Sequence, residues 1–412
     1  REPRQSAFRT KISTETALLR INHDLLMSKV KSECTLMCLL DLSAAFDTVS
    51  HDVLLRRLAD RYGIAGTAHA WITSYLHERR QFVTIGGHKS REMVKDCDVP
   101  QGSVLGPNLY EDYTAPPVGQ IFRKHNIEFM IYADDTQAYL TTDPNSIQDS
   151  VKRLELCLEE VRQWMANNWL KLNDLKTEFI VFCNENVHSD VSDVSIQLGD
   201  AVIKQEKSVR SIGAHLDSSL TMQKQISAIC KAAWYYLYQI GKISSYLNKD
   251  QVKTLVHAHV TSRLDCNNSL LIGLPKKDTK RLQTVQNAAA RLIMGLKKRD
   301  HITPALMELH WLPVEQRVVF KVLLLVYKAL HGQGPDYLKE LLQTYTPSRT
   351  LRSSSDNLLV VPPCRYADTR KRAFGIRGPQ EWNSLPKDIR EKKTVEAFKC
   401  AIKTHLFRVA FY

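Results

Sequence analysis

Hydrophobic positions along this chain fall into short unbroken runs and longer helical stripes, and two of the short runs meet acid. Residues 129–140 read FMIYADDTQAYL, with β-rich apolar segments on both sides of adjacent carboxylates, Asp134 and Asp135. This pattern predicts a hairpin with an acidic turn. A solvated turn built on aspartate backbone preferences competes with a cation-binding reading. Residues 36–42, LMCLLDL, form an apolar run of buried-strand length, or part of a buried helix, with Asp41 inside it. A carboxylate buried in a strand needs a partner or a metal. Phe46 and Asp47 follow shortly after.

The helical stripes are more numerous. Ser13 is placed to cap a helix from residue 14 to about 29, with Leu18, Ile21 and Leu25 on one face. Thr16, rather than Glu or Gln, stands three residues later, so a full capping box is not expected. The preceding Arg4, Arg9 and Lys11 read as a solvated arm. Ser50 and Gly63 bracket a helix over 51–62, and a second follows over 65–76. Residues 81–85 read as a strand closed by Gly86-Gly87. Residues 108–113 are mixed, contain Glu111 and Asp112, and predict no clean element. Val151, Leu154, Leu158, Val161 and Met165 predict a core-facing helix, with Trp164 and Trp169 as packing residues. A strand over 178–183 follows Lys176, which lies in the turn before it, and residues 209–216 suggest a strand pair around Gly213. From about residue 220 the pattern is helical: 223–246, 279–296, 314–331 and 395–409, with a Ser-, Pro- and Arg-rich loop over 346–372.

Composition adds a partner class. With 412 residues and 43% hydrophobic content, the chain can bury a large core or two to three domains. Lys and Arg number 57 against 44 Asp and Glu, a formal net charge of +13, which favours nucleic acid first and an acidic membrane surface second. Eight basic residues lie within 276–299 against one acid, Asp278, which fits either a phosphate-facing or a solubilising surface. No apolar run is as long as a membrane span, since Lys321 and Lys328 interrupt the longest helical stripe. The nine cysteines form no CxxC pair and no zinc spacing, which suggests a reducing, intracellular compartment with mostly buried thiols. His257 and His259 lack a third ligand and read as structural. In Val99-Pro100-Gln101-Gly102-Ser103, Gly102 permits close backbone approach to a ligand and Gln101 offers a donor and an acceptor. The same letters also make an ordinary turn before a helix.

Taken in order, LLDLSAAFDTVSHDVLL, VPQGSVLGP, YADDTQAYL and NWLKLNDLKTE resemble the reverse transcriptase of non-LTR (LINE-type, jockey-like) retrotransposons. The later LHWLPVEQRVVFKVLLLVYKALHG and GPQEWNSLPKDIR are similar to the tail that follows the polymerase in those elements. The resemblance implies an α+β right-hand polymerase palm with partial fingers, followed by a helical thumb and a helical C-terminal domain. The implied divisions are residues 1–218, 219–300 and 301–412. The implied activity is RNA-templated DNA synthesis with two Mg2+ ions, Mn2+ being the alternative. By resemblance, Asp41, Asp134 and the Leu42 carbonyl hold metal, and Asp135 supports the site. Phe46 is the steric gate against ribonucleotides, though core packing also explains it. Gln101 and Gly102 contact the incoming nucleotide, Tyr132 and Ala133 line the primer side, and Lys176 protonates pyrophosphate. Residues 209–216 resemble the primer grip. Partners implied are an RNA template, a DNA primer or target and deoxynucleotides, with no membrane and no protein partner evident, in nucleus and cytoplasm.

Three departures accompany the resemblance. The family's endonuclease and first finger motifs do not precede Arg1. Glu111 and Asp112 fall where the family has an apolar helix, and if buried unpaired each would destabilise the fold by roughly several kcal/mol. Asp98 stands where a small residue is common. These changes suit a truncated or decaying copy, so an inactive nucleic-acid-binding remnant is the competing reading. An RNA-templated RNA polymerase is a third, and Phe46 argues against it.

Overall fold

The computed structural model describes residues 2–43, 45–184, 194–346, 357–363 and 370–412. Parts of the expected 346–372 loop, and Cys364, lie outside the described residues. The fold mixes helices and strands and divides into two compact units. One comprises Arg1–Thr10, Cys34–Val181 and Glu185–Lys207; the other comprises Lys11–Glu33, Phe182–Asn184 and Ser208–Tyr412.

The first unit is built on a four-stranded sheet in the order Glu178–Phe182, Cys34–Leu40, Asp135–Thr142, Glu128–Tyr132. Every residue of Cys34–Leu40 is buried, as an unbroken apolar run in a central strand requires. The strand ends at Leu40. Asp41 is therefore not inside the buried run: it sits just past the end, with its side chain 28% exposed, where water still reaches it. The acidic hairpin forms, with strands Glu128–Tyr132 and Asp135–Thr142 paired antiparallel. Residues 4–6 are not a solvated arm. The Ile131 N–H donates to the Arg4 carbonyl and the Ser6 N–H to the Ile131 carbonyl, extending the hairpin's outer edge, and Gln5 and Ser6 are buried.

The mixed segment 108–113 lies within a helix, Gly106–Lys124, that carries Pro116 and Pro117 in its interior. Proline has no N–H for the carbonyl four residues back. For Pro117 that carbonyl belongs to Tyr113, and the Arg57 guanidinium donates to it instead. Leu109, Tyr110, Tyr113, Val118, Ile121 and Phe122 are buried, and that packing outweighs the propensity loss. Glu111 is also buried, but both it and Asp112 engage other groups, so neither is buried unpaired. The helices His51–Tyr62 and Ile147–Asn167 match their predicted stripes, the former with Ser50 accepting from the Val53 N–H and Gly63 left-handed. Trp169 is a correction: at φ +61° and 69% exposed, it is no packing residue.

In the second unit the helix Thr14–Val30 does have a capping box. The Thr16 hydroxyl accepts the Ser13 N–H in the role a Glu usually fills, because any side-chain acceptor at that height can reach. Its Glu15 accepts from the Ser269 N–H and pairs with Lys321. Helices Gln223–Ile243 and Lys276–Met294 pack together, and Val314–Leu330 packs on Phe374–Ser384 and Val395–Phe411. The strands Ser208–Ser211 and Ala214–Asp217 pair around Ile212-Gly213. Cys38, Cys157 and Cys230 are buried free thiols, whereas Cys97, Cys266 and Cys400 are exposed. Cys34 and Cys183 are disulfide-bonded, which departs from the expectation of a reducing compartment. No described helix is long and apolar enough to cross a membrane.

Candidate active site

The strand register sets the carboxylates. Leu40 pairs with Thr136, and Asp41 and Asp135 are the residues next to that pair, Asp41 just past the end of its strand. Across the hairpin Tyr132 pairs with Asp135, leaving Ala133 and Asp134 as a two-residue turn. Such turns favour positive φ, and Ala133 adopts φ +59° at a cost of about 1–2 kcal/mol. The buried Gln5 side chain accepts the Ala133 N–H at 3.4 Å, tying the turn to the N-terminal strip. Nothing in the sequence singled out Gln5, because one amide in a basic segment carries no pattern.

The electrostatics follow from that crowding. Asp135 has an exposed surface, yet partial enclosure by protein atoms, then the Asp134 and Asp41 anions, raise its carboxyl above the usual aspartate range. Asp41 Oδ2 lies 3.2 Å from Lys176 Nζ, an ion pair without hydrogen-bond geometry. Lys176 reaches it because the Asn173 N–H donates to the Asp41 carbonyl at 2.9 Å and the Lys176 N–H donates to the Asn173 carbonyl at 3.0 Å. Beside them Leu42, which is buried, pairs with Leu172. Lys176 is also 68% exposed, as a turn lysine would be.

Phe46 is half-buried and stacks on Tyr110, ring centroids 4.5 Å apart and planes 21° apart. Tyr110 is buried; burial, then the Asp134 anion, push its phenol above the ordinary range. Leu42, Tyr110, Ala133 and Asp134 line one small cavity. The Phe46 carbonyl accepts the Val99 N–H at 2.9 Å and the Val49 carbonyl accepts the Asp98 N–H at 3.0 Å. This strip delivers the Gln101–Gly102 loop beside Phe46. Gln101 and Gly102 are both exposed, and Gly102 has φ +77° with open space around it. The loop is closed by Ser103, whose hydroxyl donates to the Pro100 carbonyl and accepts from the Gly106 N–H. A Cβ on Gly106 would stand 2.7 Å from the Pro100 carbonyl oxygen, so this glycine permits the close approach. Asp98 is buried but pairs with Lys95 at 2.7 Å, and its carbonyl meets His51 Nε2 at 2.9 Å.

Asp41, Asp134, Asp135, Lys176 and Leu42 thus converge, with Phe46 joined through Tyr110 and Gln101–Gly102 on the adjoining loop. Among the described residues, no group of three or more His, Cys, Asp or Glu side chains is placed to hold a metal ion. Mg2+ does not need one, since it takes one or two carboxylates and completes its shell with water and phosphate oxygens. Hard oxygen donors, an Asp41 oxygen lacking a hydrogen bond and an Asp135 carboxyl pressed by neighbouring anions fit a divalent cation.

In the second unit, Lys276, Lys277, Lys280 and Arg281 are exposed on the helix Lys276–Met294 and Lys297–Arg299 follow it, while Asp278 is buried and accepts from Gln223. The neighbouring helix Gln223–Ile243 exposes Trp234, Tyr235 and Tyr238, with Lys242 4.4 Å above the Tyr238 ring. Those aromatics had no separate signal, because their spacing also fits a core face.

Residues 2–216 match the family described as reverse transcriptase (RNA-dependent DNA polymerase). The chain is 27% identical over 304 residues to a probable RNA-directed DNA polymerase from transposon BS of Drosophila melanogaster, covering 70% of this chain and 32% of that protein. It is 30% identical over 234 residues to the RNA-directed DNA polymerase from mobile element jockey of Drosophila melanogaster, covering 55% of this chain and 24% of that protein. The chain therefore spans about a third or less of the length of these curated relatives. Apo telomerase from Candida tropicalis is similar with a TM-score of 0.42 and 13% identity, covering 77% of this chain and 52% of that one. With the family match extending over more than half of its residues, this chain belongs to the reverse transcriptases, among the jockey-like non-LTR members.

Proposed function

We propose that the chain is an RNA-directed DNA polymerase of a non-LTR retrotransposon, extending a DNA primer with deoxynucleotides on an RNA template. The observation that carries this reading is that Asp41 directly follows the Leu40–Thr136 pair and its charge acts on Asp135, in the hairpin that bears Asp134. Residues 1–218 are read as palm with partial fingers, 219–300 as helical thumb and 301–412 as helical C-terminal domain. Asp41, Asp134 and the Leu42 carbonyl would hold Mg2+, or Mn2+, with Asp135 supporting them. When bound, such ions supply activation of the primer 3′-hydroxyl and charge stabilisation for departing pyrophosphate.

The chain's own residues do the rest. Lys176 leaves Asp41 and donates its Nζ proton to a pyrophosphate oxygen. Phe46, backed by Tyr110, occupies the space a ribose 2′-hydroxyl would need. Gly102 lets the loop backbone approach the nucleotide, Gln101 hydrogen-bonds it, and Tyr132 and Ala133 line the primer side. Residues 209–216 grip the primer, and the lysines of Lys276–Met294 hold backbone phosphates without sequence preference. The work is intracellular, in nucleus and cytoplasm.

Primer extension tests this. The chain is incubated with an RNA template, an annealed DNA primer, Mg2+ and deoxynucleotides, beside an Asp134→Ala control. Extension by the chain and its loss in the control are expected. Binding of the template-primer without extension would sink the enzyme reading and leave the nucleic-acid-binding remnant.

A further inference from the structure

The second unit contains a cavity of about 530 Å³ that none of the polymerase residues line. Its floor is apolar and aromatic, formed by Leu309, Trp311, Leu312, Phe320 and Leu324. Trp311 is buried at 4% exposure and held edge-on by the His257 ring, centroids 5.4 Å apart. Its rim is cationic. Arg317 is neutralised by a two-pronged pair with Asp265, and Lys321 by Glu15. Lys253 and Lys403 have no such partner among the described residues. The excess positive charge is felt locally: burial, then Lys253 and Arg317, lower the His257 pKa.

One buried polar side chain among those lining this cavity has an unmet need. Asn268 is 2% exposed, and its Oδ1 has no hydrogen-bond partner among the described residues. Its Nδ2 is 3.4 Å from Asp265 Oδ1, which fixes the amide so that Oδ1 is the free end. A buried carbonyl without a donor is costly, by about 1–3 kcal/mol, so an orphan of this kind at a cavity points to a ligand donor. The three needs are distinct: a planar apolar body, one N–H donor and an anionic group. A nucleotide meets all three at once.

We infer that this cavity binds one unstacked nucleotide, its base against Trp311 and Leu324 with a base N–H donated to Asn268 Oδ1, and its phosphate between Lys253 and Lys403. The nucleotide is either free or part of a single strand, and the chemistry of recognition is the same. An acidic peptide would satisfy the lysines but not a flat apolar floor with a lone acceptor. The inference is independent of the polymerase reading, because it uses no residue assigned to that activity.

Photolabelling tests it on the full chain. The probes are 8-azidoadenosine 5′-monophosphate and a ten-nucleotide single-stranded RNA carrying one azidoadenosine, each followed by peptide mapping. Label is expected on the peptides bearing Trp311 or Lys403. The Lys253→Glu, Lys403→Glu double variant should lose labelling there about tenfold, since one charge-assisted hydrogen bond is worth that much or more. The Lys253→Arg, Lys403→Arg double variant should retain it, and Asn268→Leu should weaken it with either probe. Matching thermal melts show that the variants are folded. Labelling by both probes assigns the site to a strand, and labelling by the mononucleotide alone assigns it to a free nucleotide. Label confined to other peptides, label indifferent to the charge reversal, or equal displacement by inorganic phosphate would each overturn the inference.

Discussion

The Arg57 guanidinium donates to the Tyr113 carbonyl, the acceptor that Pro117 cannot serve. The same side chain donates to Asn168 Oδ1 and lies over the rings of Tyr113 and Trp164. One residue thus repairs an interrupted helix and clamps it to the end of the helix Ile147–Asn167. That helix end leads into Lys171–Leu172, which pairs with Leu42–Ser43 beside Asp41.

Replacing Arg57 should therefore expose the proline defect. Arg57→Ala is expected to destabilise the chain by about 1–3 kcal/mol, the cost of leaving a buried acceptor unserved. Adding Pro117→Ala should recover part of the loss, because residue 117 then has its own N–H. Urea unfolding of the two single variants and the double variant measures the coupling. Strict additivity would show that Arg57 does not stand in for the missing donor.

Asp135 gives a pH signature. Its carboxyl is raised in the folded chain, by enclosure and then by Asp134 and Asp41, so the folded state holds the proton more tightly than the unfolded state. Stability on this account falls as pH rises from the ordinary aspartate value through the raised one, and stays lower above it. Asp135→Asn should raise the melting temperature at pH 7. The gain should vanish below about pH 3.9, where both states are protonated. A gain equal at pH 3 and pH 7 would assign the effect to packing instead.

The loop bearing Gln101 and Gly102 depends on Gly106. Its Cβ would come 2.7 Å from the Pro100 carbonyl oxygen and 2.8 Å from Ser103 Oγ. Gly106→Ala should cost about 1–3 kcal/mol through overpacking, although alanine is the better helix former. It should also raise KM for the incoming nucleotide more than it lowers kcat. An unchanged melting temperature with unchanged KM would mean the loop relaxes without consequence.

Phe46 and Tyr110 act as a stacked unit. Phe46→Val should increase ribonucleotide incorporation relative to deoxynucleotide, and Tyr110→Leu should do so more weakly by loosening the ring behind it. Single-nucleotide extension with matched ribo- and deoxynucleotides gives the ratio. If Phe46→Val lowers stability and leaves the ratio unchanged, the ring is core packing and not a gate.

Much of this was legible in the amino-acid order. The hairpin around Asp134 and Asp135, the buried strand before Asp41, the Ser50–Gly63 helix and the strand before which Lys176 sits follow from hydrophobic period and turn chemistry. Those are local signals, carried within a few residues. The ordered motifs also brought Phe46, Gln101 and Gly102 forward as one group.

The remainder depended on contacts far apart in sequence. Proline removes a helix N–H at Pro116 and Pro117, and the buried face of Gly106–Lys124, with Arg57 donating to the Tyr113 carbonyl from far earlier in the chain, holds the helix nonetheless. Gln5 holds the acidic turn from a segment whose letters are merely basic and polar. The charge of Asp41 acts on Asp135 because both are next to the Leu40–Thr136 pair, and Lys176 meets Asp41 because the turn after Leu172 docks on its carbonyl. Sequence determines which residues prefer a strand, a helix or a turn. Which carboxylate shares a neighbourhood with which cation, and which carbonyl is left in need of a donor, is decided only when the chain is packed.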